Sequence, residues 1–254
     1  MPDLGLADTS NAMLLGLGVL SFISGLARGF SGFGLALIFI PVASAMISPR
    51  VAVPLLLLVD LVAAAPLIPD AWRESDRRRV GIMALGLLAG VPTGAYILIR
   101  ADPLLVRWVI VGLITSLLAL LISGWRYHGR PATPLAVAVG AAAGLFSGLA
   151  QVGGPPVILY WLGGEHSAKA VRANLVLFFA VSSVLAGVSF AAAGLLTGPV
   201  IGLALVTGPA YGLSLWIGAR MFGIASEATF RRICYVLIAI AAVVSMPVLD
   251  GMLR

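Results

Sequence analysis

Apolar residues run along this chain in blocks too long and too unbroken for the half-polar helices of a soluble domain. Six stretches, at about 51–69, 79–99, 103–123, 168–193, 198–219 and 229–248, stay apolar over the length that crosses a bilayer core, about 20 residues. Each is predicted to be a transmembrane helix. Two further stretches, 11–47 and 132–164, are as apolar but are broken by glycine, proline and polar residues: "SGLARGFSGFG" at 24–34 and "SGLAQVGGPPV" at 147–157. Taken as one helix, 11–47 would reach about 55 Å, well past the ~30 Å hydrocarbon core, whereas two full crossings need ~40 helical residues plus a turn. The lengths therefore predict a re-entrant hairpin in each stretch, two incomplete helices meeting at a tip. Gly29, Gly32 and Gly34 would form one tip, and Gly153, Gly154, Pro155 and Pro156 the other. Backbone broken at membrane depth is tolerated only where protein buries it or a polar cavity meets it.

The broken stretches also mark a duplication. Ser24-Gly25-Leu26-Ala27 matches Ser147-Gly148-Leu149-Ala150, and "SPRVAVPLLLL" (48–58) lies over "SAKAVRANLVL" (167–177), with Arg50 over Lys169. Gly90 and Gly94 lie over Gly208 and Gly212, and "DPLLVRW" (102–108) over "SEATFRR" (226–232), with Arg107 over Arg231. The order is kept throughout. The matches predict a first repeat at 11–123 and a second at 132–248, joined by a linker at 124–131. Internal repeats of this kind build many secondary transporters.

Composition agrees with a membrane protein: 61% of residues are hydrophobic, 10% are charged and the mean hydropathy is +1.10, where a soluble domain carries roughly a quarter charged residues. Runs such as "VPLLLLVDLVAAAPLI" lack the alternation of a β-barrel. The net charge of +6 comes almost wholly from arginine, with Lys169 the single lysine. These cations sit in short loops, and no Arg-rich arm or aromatic platform suggests a nucleic-acid partner. Their distribution tests the hairpins. If all eight segments cross, eight loop cations fall on one side and seven on the other; if the broken stretches return to their own side, the split becomes eleven to four. The positive-inside rule selects the second arrangement, with both termini outside. Each half then holds a hairpin and three crossings, and an odd number of crossings inverts the second half. The expected fold is an all-α polytopic membrane protein of two inverted repeats, each a re-entrant helix hairpin plus three transmembrane helices. Cys234 stands alone, which excludes disulfides within the chain. The first ten residues carry Asp3 and Asp8 and no cation, unlike the start of a signal peptide.

Inverted halves would bring the two tips face to face near the bilayer midplane, where such folds hold substrate. A helix restarting after a break presents unpaired N–H groups at its positive dipole end. Arg28 adds a permanent charge and a planar fork of donors suited to carboxylate, sulfonate or phosphate. Its counterpart is Gln151, a neutral donor and acceptor, and Ser24, Ser31 and Ser147 add hydroxyls. The expected substrate-binding set is Arg28, Gly29, Ser31, Gly32, Gln151, Gly153, Gly154 and Asn174, for a small anion. Asn174 has a rival reading as a helix–helix hydrogen bond. Asp60 is the one carboxylate expected deep in a span; it serves either as an ion-pair partner of Arg28 or as a carrier of a coupling proton. His128 and His166 fall in separate loops, so no metal site is expected. No H-E-x-x-H, G-x-S-x-G or P-loop sequence occurs. No catalytic residue and no cofactor are expected; the chain reads as a transporter and not an enzyme.

"GLARGFSGFGLALIFIP", opening one half, and "GLFSGLAQVGGPPVILYW", opening the other, resemble the TauE/SafE family of membrane transporters, also called the sulfite exporter or TSUP family. The resemblance covers about residues 11 to 248. The second motif is close to the family's glycine-rich pattern ending in proline; the first departs from the commoner Gly-Gly-Gly form, with Phe33 interrupting the run. The resemblance implies a secondary transporter of the bacterial cytoplasmic membrane that moves sulfite, sulfoacetate or other sulfonates by alternating access. It places the family's hairpin regions at Gly29 to Gly34 and Gln151 to Pro156. An anion channel and a transporter of non-sulfur organic anions stay open as alternatives, as do direction, coupling ion and a homodimer.

Overall fold

In a computed structural model, residues 10–31, 34–124, 132–162, 168–221 and 227–250 are described, and every regular element among them is helical. In chain order these are α1 (Asn11–Ser31), α2 (Leu35–Ile47), α3 (Pro49–Ala64), α4 (Ile68–Glu74), α5 (Arg77–Arg100), α6 (Pro103–Ser123), α7 (Thr133–Ala150), α8 (Gly154–Leu162), α9 (Ala168–Ala192), α10 (Gly198–Met221) and α11 (Glu227–Val244). A 3₁₀ turn at Ala65–Leu67 carries the chain from α3 into α4, which is how Pro66 and Pro69 are accommodated without a stop. The span expected at 51–69 therefore runs on, from Pro49 to Glu74.

Seven helices among the described residues are long and apolar enough to cross a membrane. They include five of the six expected spans, and they also include α1 and α7. Here the expectation of two incomplete helices per hairpin is corrected. α1 has 21 residues and α7 has 18, about 31 and 27 Å of helix, while α2 has 13 and α8 only 9. The shortfall lies wholly in the second helix of each pair. The sixth expected span, 229–248, is α11, whose described apolar part is the shorter Arg232–Val244. Most of the expected 124–131 linker, with His128, lies outside the described residues, as does His166.

The helices group into two compact units, one of 1–59, 101–122 and 194–254, the other of 60–100 and 123–193. Each unit thus draws helices from both halves of the sequence. The compact units and the expected repeats divide the chain differently.

In the first unit α1 packs along α10. With no hydrophobic effect between helices in lipid, close backbone approach supplies the attraction, and small residues permit it. A methyl group on Gly25 would strike Ser214 and the Tyr211 carbonyl; one on Gly29 would strike the Leu215 carbonyl. Leu17, Ile40, Leu55 and Leu57 are fully buried in this unit. Its C-terminal end is tied down by Arg107 of α6. Arg107 is only 8% exposed and forks onto Asp250, with Nη1–Oδ2 at 2.5 Å and Nη2–Oδ1 at 2.9 Å. Its Nη2 also donates to Ser245 O at 3.3 Å.

In the second unit α7 packs along α5 in the same manner. Gly86, Gly90 and Gly94 face the α7 backbone, and Gly140 and Gly148 face the α5 backbone, Gly148 against the Val91 carbonyl. The two helix pairs correspond: Gly25 meets Tyr211 as Gly148 meets Val91. In packing terms Tyr211 matches Val91, and Ser214 matches Gly94. The register read from sequence, with Gly208 and Gly212 under Gly90 and Gly94, is corrected accordingly, since nothing lies within 4 Å of a side chain placed on Gly208 or Gly212.

Outward-facing apolar side chains such as Leu15, Val62, Val184 and Leu205 are 60–76% exposed, as lipid contact requires. Arg220 lies 3.5 Å over the Trp216 ring and Arg100 5.7 Å over Tyr96. Both pairs sit in last helical turns, where aromatic and cationic side chains anchor helices at the membrane–water boundary.

Candidate anion site at the helix breaks

The first break lies in the first unit. α1 ends at Ser31, and Gly34 resumes the described chain with φ 95° and ψ −15°. That left-handed conformation is open to glycine at little cost, so Gly34 re-aims the backbone into α2. No side chain caps α2, and its first internal bond runs from Ile38 N–H to Gly34 O at 3.2 Å. The amides of Leu35, Ala36 and Leu37 therefore have no partner within the helix, and they form the positive end of its dipole. Ser31 is the last residue of α1, and Gly32 lies outside the described residues.

Arg28 stands in the last turn of α1, half-buried. One turn before it is Ser24, fully buried, whose hydroxyl has no hydrogen-bond partner among the described residues. Residues four apart share a helix face, so the guanidinium and this hydroxyl lie on one side of α1. Ser44 of α2 is a second buried hydroxyl without a partner among the described residues. An orphaned buried hydroxyl costs about 1–3 kcal/mol of desolvation and calls for an explanation such as an ion or ligand. Gly29 belongs on a different face. It lies inside α1, and its missing side chain makes room for α10, so the expected tip glycine is a packing glycine.

The second break lies in the second unit and differs in chemistry. Gln151 ends α7 in the left-handed region, φ 56° and ψ 23°. Its backbone N–H donates to Ser147 O at 2.9 Å, and its side-chain Nε2 donates to the same oxygen at 3.0 Å. The amide expected to reach for substrate is folded onto its own helix end. Gly153 has a local reason too: a side chain there would collide with Ser147 Oγ and come within 2.6 Å of Ala143 O. Gly154, by contrast, has ordinary space around it, with Phe179 at 3.5 Å. α8 then begins Gly-Pro-Pro. Proline suits a first helical turn, but it has no N–H, so this helix start offers fewer donors than that of α2.

Asn174 is buried at 1% exposure, and its Oδ1 accepts the Asp76 N–H at 2.7 Å. Asp76 in turn caps α5, accepting the Arg79 N–H at 3.0 Å. Asn174 thus makes a bond between helix elements, the rival reading of this residue, at the start of α5. Asp60 sits half-buried in α3, in the second unit, whereas Arg28 is in the first. Among the described residues no group of three His, Cys, Asp or Glu could hold a metal ion. Sequence reasoning passed over Ser44, whose surroundings in "PVASAMI" look like plain helix filler; only its burial without a partner marks it.

The profile of the family described as "Sulfite exporter TauE/SafE" matches residues 17–245, a range that includes both breaks. The chain belongs to the TauE/SafE family. It is also 28% identical, over 94% of its own length and 96% of the other's, to the "Probable sulfite/organosulfonate exporter TauE" of Cupriavidus necator. No solved structure matches the chain. TauE/SafE membership makes the protein a multi-pass membrane transporter of small anions by secondary transport, and not an enzyme.

Proposed function

We propose that this TauE/SafE protein carries sulfite or a small organosulfonate out of the cell across the cytoplasmic membrane by alternating access, with the first helix break as its principal anion contact. One observation carries the reading. Arg28 and the buried Ser24 hydroxyl, which has no partner among the described residues, share a face of α1 by their spacing, and the next helix, α2, starts with no side-chain cap. A fork of charged donors, a hydroxyl and a positive helix end suit an oxyanion with three oxygens to satisfy. The second break, with Gln151 held back and prolines in place of amides, serves in this reading as rigid backbone more than as a donor set. The matching of Gly25–Tyr211 by Gly148–Val91 supports an origin in two repeats, here taken as inverted re-entrant units with both termini outside. The name of the C. necator relative supports the sulfur-containing substrate class and the direction. Export of an anion toward a positive exterior needs no further energy source, since each charge is worth ~2.3 kcal/mol per 100 mV.

The test is ligand-induced thermal stabilisation of the purified protein, with sulfite, sulfate, sulfoacetate, taurine, lactate, phosphate and chloride, on wild type and Arg28→Ala. Binding to the folded state raises the melting temperature in step with RT ln(1 + [L]/Kd). Sulfite or sulfoacetate should stabilise the wild type and fail to stabilise the variant. Stabilisation by lactate instead would move the substrate to non-sulfur organic anions. If no anion stabilises either protein, Arg28 is a structural charge; unfolding of Arg28→Ala with rescue by Asp60→Asn would say which one.

A further inference from the structure

Arg78 and Arg79 line a cavity of about 260 Å³ inside the second unit. Asp76, Thr133 and Tyr160 share its wall. Two helices begin there, α5 at Arg77 and α7 at Thr133. α5 is capped by Asp76. The start of α7 is not: Ala132 is extended, no side chain caps it, and its first internal bond is Ala136 N–H to Ala132 O at 3.1 Å. Pro134 has no N–H, which leaves the Thr133 and Leu135 amides without partners in the helix.

The charge balance favours an anion. Among the described residues Asp76 is the one carboxylate in the wall, and it lies against Arg79, through the 3.0 Å bond from the Arg79 N–H and a 3.9 Å approach to the Arg79 Nε. Arg79 lies 5.9 Å over the Trp161 ring, which orients its guanidinium. Arg78 is exposed and makes no ion pair with any described residue. The cavity therefore gathers two guanidinium forks, a free helix start, the Thr133 hydroxyl and the Tyr160 ring. A water's share of liquid volume is about 30 Å³, so a phosphate-sized group fits with room to spare. In its wall Thr133 lies at the opposite end of α7 from Ala150, about 27 Å along the helix, and Tyr160 lies six residues, about 9 Å of helix, beyond Gly154.

We propose that this cavity is a second anion site, taking a phosphate group, at the end of the second unit where the arginines cluster. The group comes from an anionic phospholipid headgroup or from free phosphate; basic pockets between membrane helices bind such headgroups. The proposal does not depend on what the helix breaks transport.

The experiment uses the full-length protein in neutral detergent, as wild type, Arg78→Ala and Arg73→Ala. Arg73 is exposed on α4 and outside the cavity, so its removal matches the charge change alone. Melting temperature is followed against inorganic phosphate, against phosphatidylglycerol, and against phosphatidylcholine and chloride at matched ionic strength. Wild type and Arg73→Ala should be stabilised by a phosphate-bearing probe, with apparent affinity about tenfold or more weaker in Arg78→Ala, the range for a lost charged hydrogen bond. A response to phosphatidylglycerol alone identifies a lipid headgroup, and one to inorganic phosphate identifies a soluble ligand; either supports the site. The site is refuted if neither probe stabilises the wild type, if Arg78→Ala keeps the response, or if Arg73→Ala loses it equally.

Discussion

Glycine carries three different meanings in this chain, and the residue scale separates them. Gly34 is needed for its backbone angle, Gly29 and Gly148 for the helix that lies against them, and Gly208 and Gly212 for neither. A sequence shows only that glycine is dense near the breaks. It cannot show which face of α1 meets α10, because that depends on a contact between residues nearly two hundred positions apart. Hence Gly29 reads as a tip residue and proves to be a packing residue. The distinction is measurable. Gly29→Ala forces the Leu215 backbone aside and should cost about 1–3 kcal/mol, as overpacking does. Gly212→Ala has open space and should change little, or stabilise slightly through the better helix propensity of alanine. Thermal melts of both variants in one detergent decide the matter; equal losses would mean that the α1–α10 contact is not tight.

At the scale of elements, the helices were legible because bilayer thickness fixes a length, and apolar runs of that length are hard to read otherwise. The division of 11–47 was not. Its total length fits two short helices as well as one long and one short, and only the placement of Gly34 after Ser31 settles on 21 and 13 residues. The anchoring of the C-terminal end was equally hidden. Arg107 counts as one more loop cation until Asp250 is seen 2.9 Å from its Nη2. A buried pair gains little over apolar replacements, but removing one partner strands the other. Asp250→Ala leaves a nearly buried guanidinium behind and should destabilise by about 3 kcal/mol, near the low end for a broken buried pair because the aspartate is itself a third exposed. Arg107→Met with Asp250→Ala should recover much of that loss. A double-mutant cycle with no coupling would show that the pair is surface-like and contributes nothing.

For the whole molecule, the question is what drives the anion. Each elementary charge moved is worth ~2.3 kcal/mol per 100 mV, about a fifty-fold bias. Export toward a positive exterior can use this directly, whereas a proton-coupled carrier needs an ionisable group that changes hands. Asp60, half-buried in α3 within an otherwise apolar run, is the carboxylate proposed for that role. The two mechanisms diverge in proteoliposomes loaded with sulfite or sulfoacetate, once a potassium gradient and an ionophore set the voltage. Potential-driven export predicts that efflux accelerates when the lumen is made negative, slows when it is made positive, and keeps that response in Asp60→Asn. Proton coupling predicts flux that follows a pH gradient at zero voltage and loses its pH dependence in the same variant. Arg28→Ala should abolish efflux in either case. We expect the voltage response and its survival in Asp60→Asn, because the proposed anion contact is built from Arg28, the Ser24 hydroxyl and the start of α2, and Asp60 is not among its groups. Efflux indifferent to voltage but steered by pH would transfer the driving role to Asp60.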